Sequence, residues 1–195
     1  MKPNRLHTGV FVLVSALLPS LLSAFQASGQ KTSLSTNVAQ YANLLTMNLE
    51  ASYAFDRHWS ARAGFRYNPF EYKRNSDPGD NFQNKQLAYA LGVRYWPWHV
   101  FSGWWLSGNA QYQEYNSGGI LSRKTSEGDR IGMSLGWGYT YMLNPRLNLE
   151  FGLSVWGGYD AYTIYECPVC GLTVEGGKKF FFLPDEIILA LTYVF

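Results

Sequence analysis

Histidine, cysteine and glutamate are the residues here that could carry chemistry. The chain has three histidines and two cysteines. A serine-type hydrolase needs a histidine base beside its nucleophile and an acid to orient it. His7 lies in a leader-like segment, and His58 and His99 lie in the short turns Asp56-Arg57-His58 and Pro97-Trp98-His99. If those turns share one end of the molecule, no histidine remains for a site at the other end. A paired-carboxylate mechanism needs two acids converging in a pocket. Glu50, Glu150 and Glu186 instead share a strand phase with Arg62, Arg66 and Arg94, which makes them ion-pair partners. Cys167-Pro168-Val169-Cys170 offers zinc two ligands where four are needed, and it lacks the βαβ setting of a redox pair. A short local disulfide that pins a loop tip is the remaining reading. So small a ring would affect loop shape more than global stability. The expectation is a protein without catalytic residues, metal or cofactor.

Strands must position these residues. A period of two marks a strand lying between two different environments. It runs through residues 45–55, 59–68, 87–95, 104–113, 131–141, 147–156 and 185–195. In the last of these, Phe195, Tyr193, Leu191, Leu189 and Ile187 share one face, and Val194, Thr192, Ala190, Ile188 and Glu186 share the other. An eighth strand, Ser33 to Gln40, alternates less regularly. Connections at 56–58, 97–99 and 144–145 are tight, whereas 73–82, 116–127 and 163–184 read as long loops; the first, 41–43, is short. No stretch keeps a helical period and no repeat appears, so one domain is expected.

Composition narrows the setting. Lys2 and Arg5 precede an uncharged, mostly apolar run from Gly9 to Ala24, and the small residues Ala27-Ser28-Gly29 follow. This is the layout of a cleaved signal peptide, placed at 1–30, with an uncleaved anchor as the alternative. The domain then occupies 31–195. No cysteine near the cleavage site marks a lipoprotein. Aromatics make up 17% and charged residues 15%, and the net charge of +2 is too small to argue for nucleic acid. After the leader no apolar run is long enough for a spanning helix.

Short turns alternating with long loops, and strands of about ten residues or more, fit a membrane-spanning sheet closed on itself. The expected fold is all-β: an eight-stranded antiparallel up-and-down transmembrane β-barrel with a side-chain-filled interior. Trp59, Tyr95, Trp104, Tyr141 and Phe195 fall near the strand ends at the tight turns, and Tyr67, Tyr112 and Tyr159 near the opposite ends, as interfacial girdles require. Glu50, Arg62, Arg66, Arg94, Glu150 and Glu186 form the expected interior charge network, with a proton or ion path as the alternative. Gly64, Gly92, Gly132, Gly136, Gly138 and Gly152 would make room for arginine and tryptophan side chains. Tyr193 and Phe195 resemble the C-terminal assembly signal of bacterial outer-membrane barrels, which makes the barrel-assembly machinery an expected partner. Lys73-Arg74, Arg123-Lys124 and Lys178-Lys179 place positive charge on the outer loops. It is either simply solvated or in contact with anionic lipopolysaccharide or an acidic partner.

Several segments together resemble one family: Arg66-Tyr-Asn-Pro-Phe70, Gly92-Val-Arg-Tyr-Trp96, Leu147-Asn-Leu-Glu150, Tyr165-Glu-Cys-Pro-Val-Cys170 and Lys178-Lys179, with the closing aromatic strand. They look like the small outer-membrane barrels of Bacteroidetes catalogued as domain of unknown function 3575. Members often have a Gly-Pro-Thr lead-in to the last strand, where this chain has Leu183-Pro184-Asp185. The resemblance implies the fold and an integral outer-membrane location after signal-peptide cleavage. It transfers no catalytic residue. The expected role is that of a structural or interaction protein at the cell surface, contacting outer-membrane lipid and lipopolysaccharide and a surface or envelope protein. The alternatives are a lipid-modifying enzyme without a histidine base and a narrow channel.

Overall fold

The computed structural model describes residues 30–72, 82–119, 124–167 and 172–195. The expected leader, 1–30, therefore lies outside the described residues except for Gln30. The strands are β1 (Thr32–Asn37), β2 (Met47–Ala54), β3 (Trp59–Asn68), the two-residue β4 (Glu71–Tyr72), β5 (Phe82–Tyr95), β6 (Gly103–Gly118), β7 (Thr125–Asn144), β8 (Leu147–Tyr165) and β9 (Thr173–Val194). A short 3-10 helix, Val38–Ala42, follows β1. All pairings are antiparallel, and all but the closing one join neighbours in the chain or, where β3 bypasses β4 to pair with β5, next neighbours. β1 pairs with β9 in register Ser33↔Val194 to Asn37↔Ala190, so eight strands form a closed ring with β4 as an appendage.

The alternation read from the sequence becomes the two faces of this ring. Leu91, Leu106, Ile131, Met133, Leu135 and Ile187 point outward and are exposed, while Arg94, Gln111, Ser134, Glu150 and Thr192 point inward and are buried. This reverses the polarity of a water-soluble fold, in which exposed apolar patches are small. The outward aromatics form belts. Along direct pairings, Phe65, Tyr89 and Tyr112 stand side by side, and Tyr159 stands beside Phe180. Near the tight turns, Trp59 packs on Tyr95 at 4.9 Å, Trp104 on Tyr139 at 5.3 Å and Tyr193 on Phe195 at 4.9 Å.

Two expectations about length are corrected. Residues 116–127 and 163–184 are not long loops: β6 runs to Gly118, β7 starts at Thr125, β8 runs to Tyr165 and β9 starts at Thr173. Residues 116–118 and 125–130 are polar on both faces, so the apolar alternation fades there although the ladder continues, whereas upper β9 keeps apolar side chains at Val174, Phe180, Phe181, Phe182 and Leu183. The first strand ends at Asn37, not Gln40, because Asn37 accepts from the Ala39 N–H and turns the chain into the 3-10 helix. The ring is consequently uneven. β7, β8 and β9 have 20, 19 and 22 residues against 6, 8 and 10 in β1, β2 and β3, so one wall stands much taller than the other.

The turn between β5 and β6 folds into the end of the ring. Trp96, Val100 and Phe101 join Trp105, Ile188 and Val194 in the one buried apolar cluster of this end. Phe101 has φ 64°, a left-handed conformation that costs a bulky residue strain. Its ring is held edge-on to Trp96 at 5.9 Å, and its carbonyl accepts from Asn148 Nδ2 at 3.0 Å. The glycine expectation holds in part. A Cβ on Gly152 would meet the Trp105 ring at 3.0 Å, and one on Gly138 would meet it more closely. Gly132 and Gly158 instead face each other's strand backbone, so what they admit is close strand approach and not a large side chain.

Candidate functional site

Two clusters of charge and aromatic rings occupy the interior. The lower one is built on Arg94, projected inward from β5. Its guanidinium donates to Glu150 Oε2 at 2.8 Å through Nη1 and to Glu50 Oε1 at 3.1 Å through Nη2. Arg62 binds the other oxygen of Glu50. Thr192 donates to Glu150 at 2.8 Å. Arg94 also lies over the Trp105 ring, 4.2 Å from its centroid. One step higher, Arg66 pairs with Asp185 at 3.0 Å, and Gln111 and Ser154 donate to the same carboxylate.

Asp185 was not among the expected residues, and the physical reason is a bulge. β9 skips a partner between Ser154↔Glu186 and Val155↔Pro184, which leaves Asp185 unpaired in the ladder and free to turn inward. Glu186 also faces in. Its carboxylate accepts from Gln40 at 2.8 Å and Asn37 at 3.2 Å, so this member of the expected charge network meets amides, and Arg66 takes Asp185. Pro184 ahead of Asp185 was the available signal.

The second cluster sits at the rim of the tall wall. Asp160 is fully buried and accepts from Tyr115 Oη at 3.0 Å. Arg130 approaches it at 3.2 Å and Lys179 at 3.8 Å. Arg130 lies 3.9 Å from the Tyr115 centroid, and Trp156 meets Phe181 edge-on at 4.8 Å. This cluster was also missed. Carrying the strand phases of residues 131–141 and 147–156 a few positions further would have turned Arg130 and Asp160 inward together. At the outermost edge, the hydrogen bond from Tyr162 to Glu175 and that from Tyr165 to Glu127 hold both phenols above their usual pKa. In the turn at the other end, the His58 N–H donates to Asp56 and holds that carboxyl below its usual range.

The remaining expected residues fall as follows. Cys167 is in a disulfide, and Cys170, the other cysteine of the chain, lies outside the described residues, as do Lys73, Arg74 and Arg123. Lys178 and Lys179 are exposed on upper β9. His58 and His99 sit in the turns at the base, their Nδ1 atoms against the Trp96 and Val100 carbonyls. Tyr193 is exposed on the outward face, and the Phe195 N–H donates to Thr32 O at the ring closure. Among the described residues no group of three or more His, Cys, Asp or Glu is placed to hold a metal ion. No helix there is long and apolar enough to cross a membrane.

The interior carboxylates are committed to arginines, amides and hydroxyls, so what this arrangement does chemically is hold the walls together. These features define a class: an all-β, up-and-down antiparallel sheet closed through eight strands, apolar outside and ionic inside. Within it, the model of the family described as "Protein of unknown function (DUF3575)" matches residues 13–195, and the chain belongs to that family. No curated protein matches the chain.

Proposed function

We propose that this protein is a transmembrane β-barrel of the bacterial outer membrane, acting as a structural or interaction protein at the cell surface without catalysis. The reading is carried by the inverted polarity of the closed ring. In lipid every backbone polar group needs an internal partner, which a sheet provides only by closing. Its outer face must then be apolar between aromatic girdles, as the exposed Leu, Ile and Met side chains between the aromatic belts are here. The turns at 55–58, 96–102 and 145–146 would face the periplasm and the tall wall the outside. The leader would direct export and be removed, and Tyr193 and Phe195 would be read by the barrel-assembly machinery.

The filled interior supports a plugged barrel over a channel. The cavity among Glu50, Arg62, Arg66 and Arg94 has a volume of about 50 Å³, room for a few waters. Trp96, Phe101 and Trp105 close the end below it. Partners would be outer-membrane lipid and lipopolysaccharide around the belt and a surface or envelope protein at the rim.

Cell fractionation with alkaline carbonate extraction, followed by proteolysis of whole cells, tests the reading. The protein should stay in the outer-membrane fraction and be cleaved only at the rim. Release by carbonate would sink the proposal. Two further assays address the alternatives: steady conductance in a planar bilayer would favour a channel, and a lipid species altered in a deletion strain would favour an enzyme.

A further inference from the structure

The ring closes over only the lower part of β9. β1 pairs with Ala190 to Val194, and the Asn37 side chain adds one more step, donating to Ile187 O at 2.9 Å and accepting from the Leu189 N–H at 3.0 Å. The chain then leaves through the 3-10 helix. From Pro184 up to Thr173, β9 pairs with β8 alone, and no described residue forms a ladder on its other edge. Proteins usually blunt such an edge with a bulge, charged side chains, a cover or a very short strand, and β9 has bulges at Val174 and Asp185 and lysines at 178 and 179. Here the edge is long and carries the exposed side chains Val174, Phe180 and Phe182.

Two glycines add an independent observation. Gly176 and Gly177 have ordinary backbone angles, and a Cβ on either would meet nothing nearer than 3.5 Å. Neither internal packing nor backbone conformation requires glycine there. In a strand, glycine often marks a bulge or the close approach of another backbone, and the bulge of this stretch lies at Val174, two residues before Gly176. We propose that the free edge of β9 between Thr173 and Pro184 accepts an extended acidic segment of a partner protein as an added strand. This deepens the surface-interaction reading and rests on it for the orientation of the rim.

Charge selects the occupant. Lys178 and Lys179 lie at the middle of the free edge, on opposite faces; Lys179 also reaches Asp160 at 3.8 Å, and Glu175 is held by Tyr162 at 2.8 Å. Two copies pairing antiparallel through this edge would bring these lysines together, and like charges opposite one another destabilise a ladder. A segment alternating acidic with β-forming residues gains there instead. Backbone hydrogen bonds would supply affinity and the lysines specificity, as in other strand additions. In the membrane the lower part of this edge, beside the Tyr159–Phe180 belt, has a further need of a partner, because an open edge does not persist against hydrocarbon.

The test uses the full mature chain in detergent micelles with two synthetic peptides, one alternating threonine with glutamate and its twin with lysine in place of glutamate. The glutamate peptide should bind and slow amide exchange within 173–184, and the lysine peptide should do neither. Lys178→Glu should weaken the glutamate peptide at least about tenfold and admit its twin. Equal binding of both peptides, or exchange at 173–184 unchanged by peptide, overturns the proposal. So does slow exchange, before any peptide is added, of the amides in this stretch that point away from β8, which would mean that the chain covers its own edge. Self-crosslinking of Lys178→Cys would assign the edge to a second copy. Peptide binding by a protein that carbonate releases would leave the edge proposal standing and remove the membrane reading; the reverse result would remove only the edge proposal.

Discussion

The two interior clusters use the same parts in different surroundings. Around Arg94, a guanidinium over Trp105 meets Glu150, and the side chains are 4% and 3% exposed. Around Asp160, a guanidinium over Tyr115 meets a buried carboxylate, but Arg130 is 22% and Lys179 53% exposed. In the enclosed cluster Arg62 and Arg94 answer Glu50 and Glu150, since an unpaired charge removed from water costs several kcal/mol. At the rim two cations share one acid, and water solvates the excess. Between these two clusters the charge balance follows depth: the enclosed one ties the walls together, and the rim one leaves a cation to water.

The largest test of that contrast is Arg94→Ala, which strands Glu150, leaves Glu50 on Arg62 alone, and should cost about 3–5 kcal/mol in urea unfolding from micelles. Arg62→Ala should cost less, because Arg94 still holds Glu50. Wild-type stability in both variants would remove the structural role of the network. At the rim, Asp160→Asn should cost about 2 kcal/mol, the loss of the charged hydrogen bond from Tyr115 and of the ion pair with Arg130. A loss as large as that of Arg94→Ala would erase the distinction between depths.

β9 carries a paired test of its two faces. Glu186→Ala should assemble normally and lose about 1–2 kcal/mol with the Gln40 and Asn37 contacts. Deletion of Phe195 should instead lower the amount reaching the outer membrane, measured by heat-dependent gel mobility of the membrane fraction. Identical behaviour of the two would show that the faces do not divide the work.

The smallest effect is on pH. Tyr162 and Tyr165 have raised folded pKa values, so their contribution is whole below the unfolded phenol range and fades as pH rises through the folded values. Asp56, held low, contributes above the unfolded carboxyl range and fades as pH falls through its folded value. Tyrosinate absorbance should show the first. Tyr165→Phe should move the alkaline limb of stability and leave the acid limb unchanged.

What could be read from the sequence followed the lipid-like contrast between faces. Leu91, Met133 and Ile187 alternate with polar neighbours, so the strands carrying Arg62, Arg94 and Glu150 could be phased. Where both faces are polar, around Glu114, Asp129 and Thr163, phase had no apolar marker and the strands looked like loops. Asp185 escaped because a bulge shifts phase by one residue, which a period of two cannot register. The inward fold of Val100 and Phe101 goes with two left-handed residues in one turn, and only one of them, Gly103, is a glycine that the sequence could signal.

The closure between β1 and β9 has a kinetic consequence. Every other pairing joins strands that follow one another in the chain or are separated only by β4, whereas the pairing that contains Ser33↔Val194 joins the first and last strands through just five residue pairs. Loop-closure entropy must be met before so distant a contact returns any energy. The hairpins can therefore zip up in sequence while this seam waits, which makes it the step that limits the rate of folding. By the same count it is the weakest neighbouring interface of the closed eight apart from β1–β2, so unfolding should begin by detaching β1.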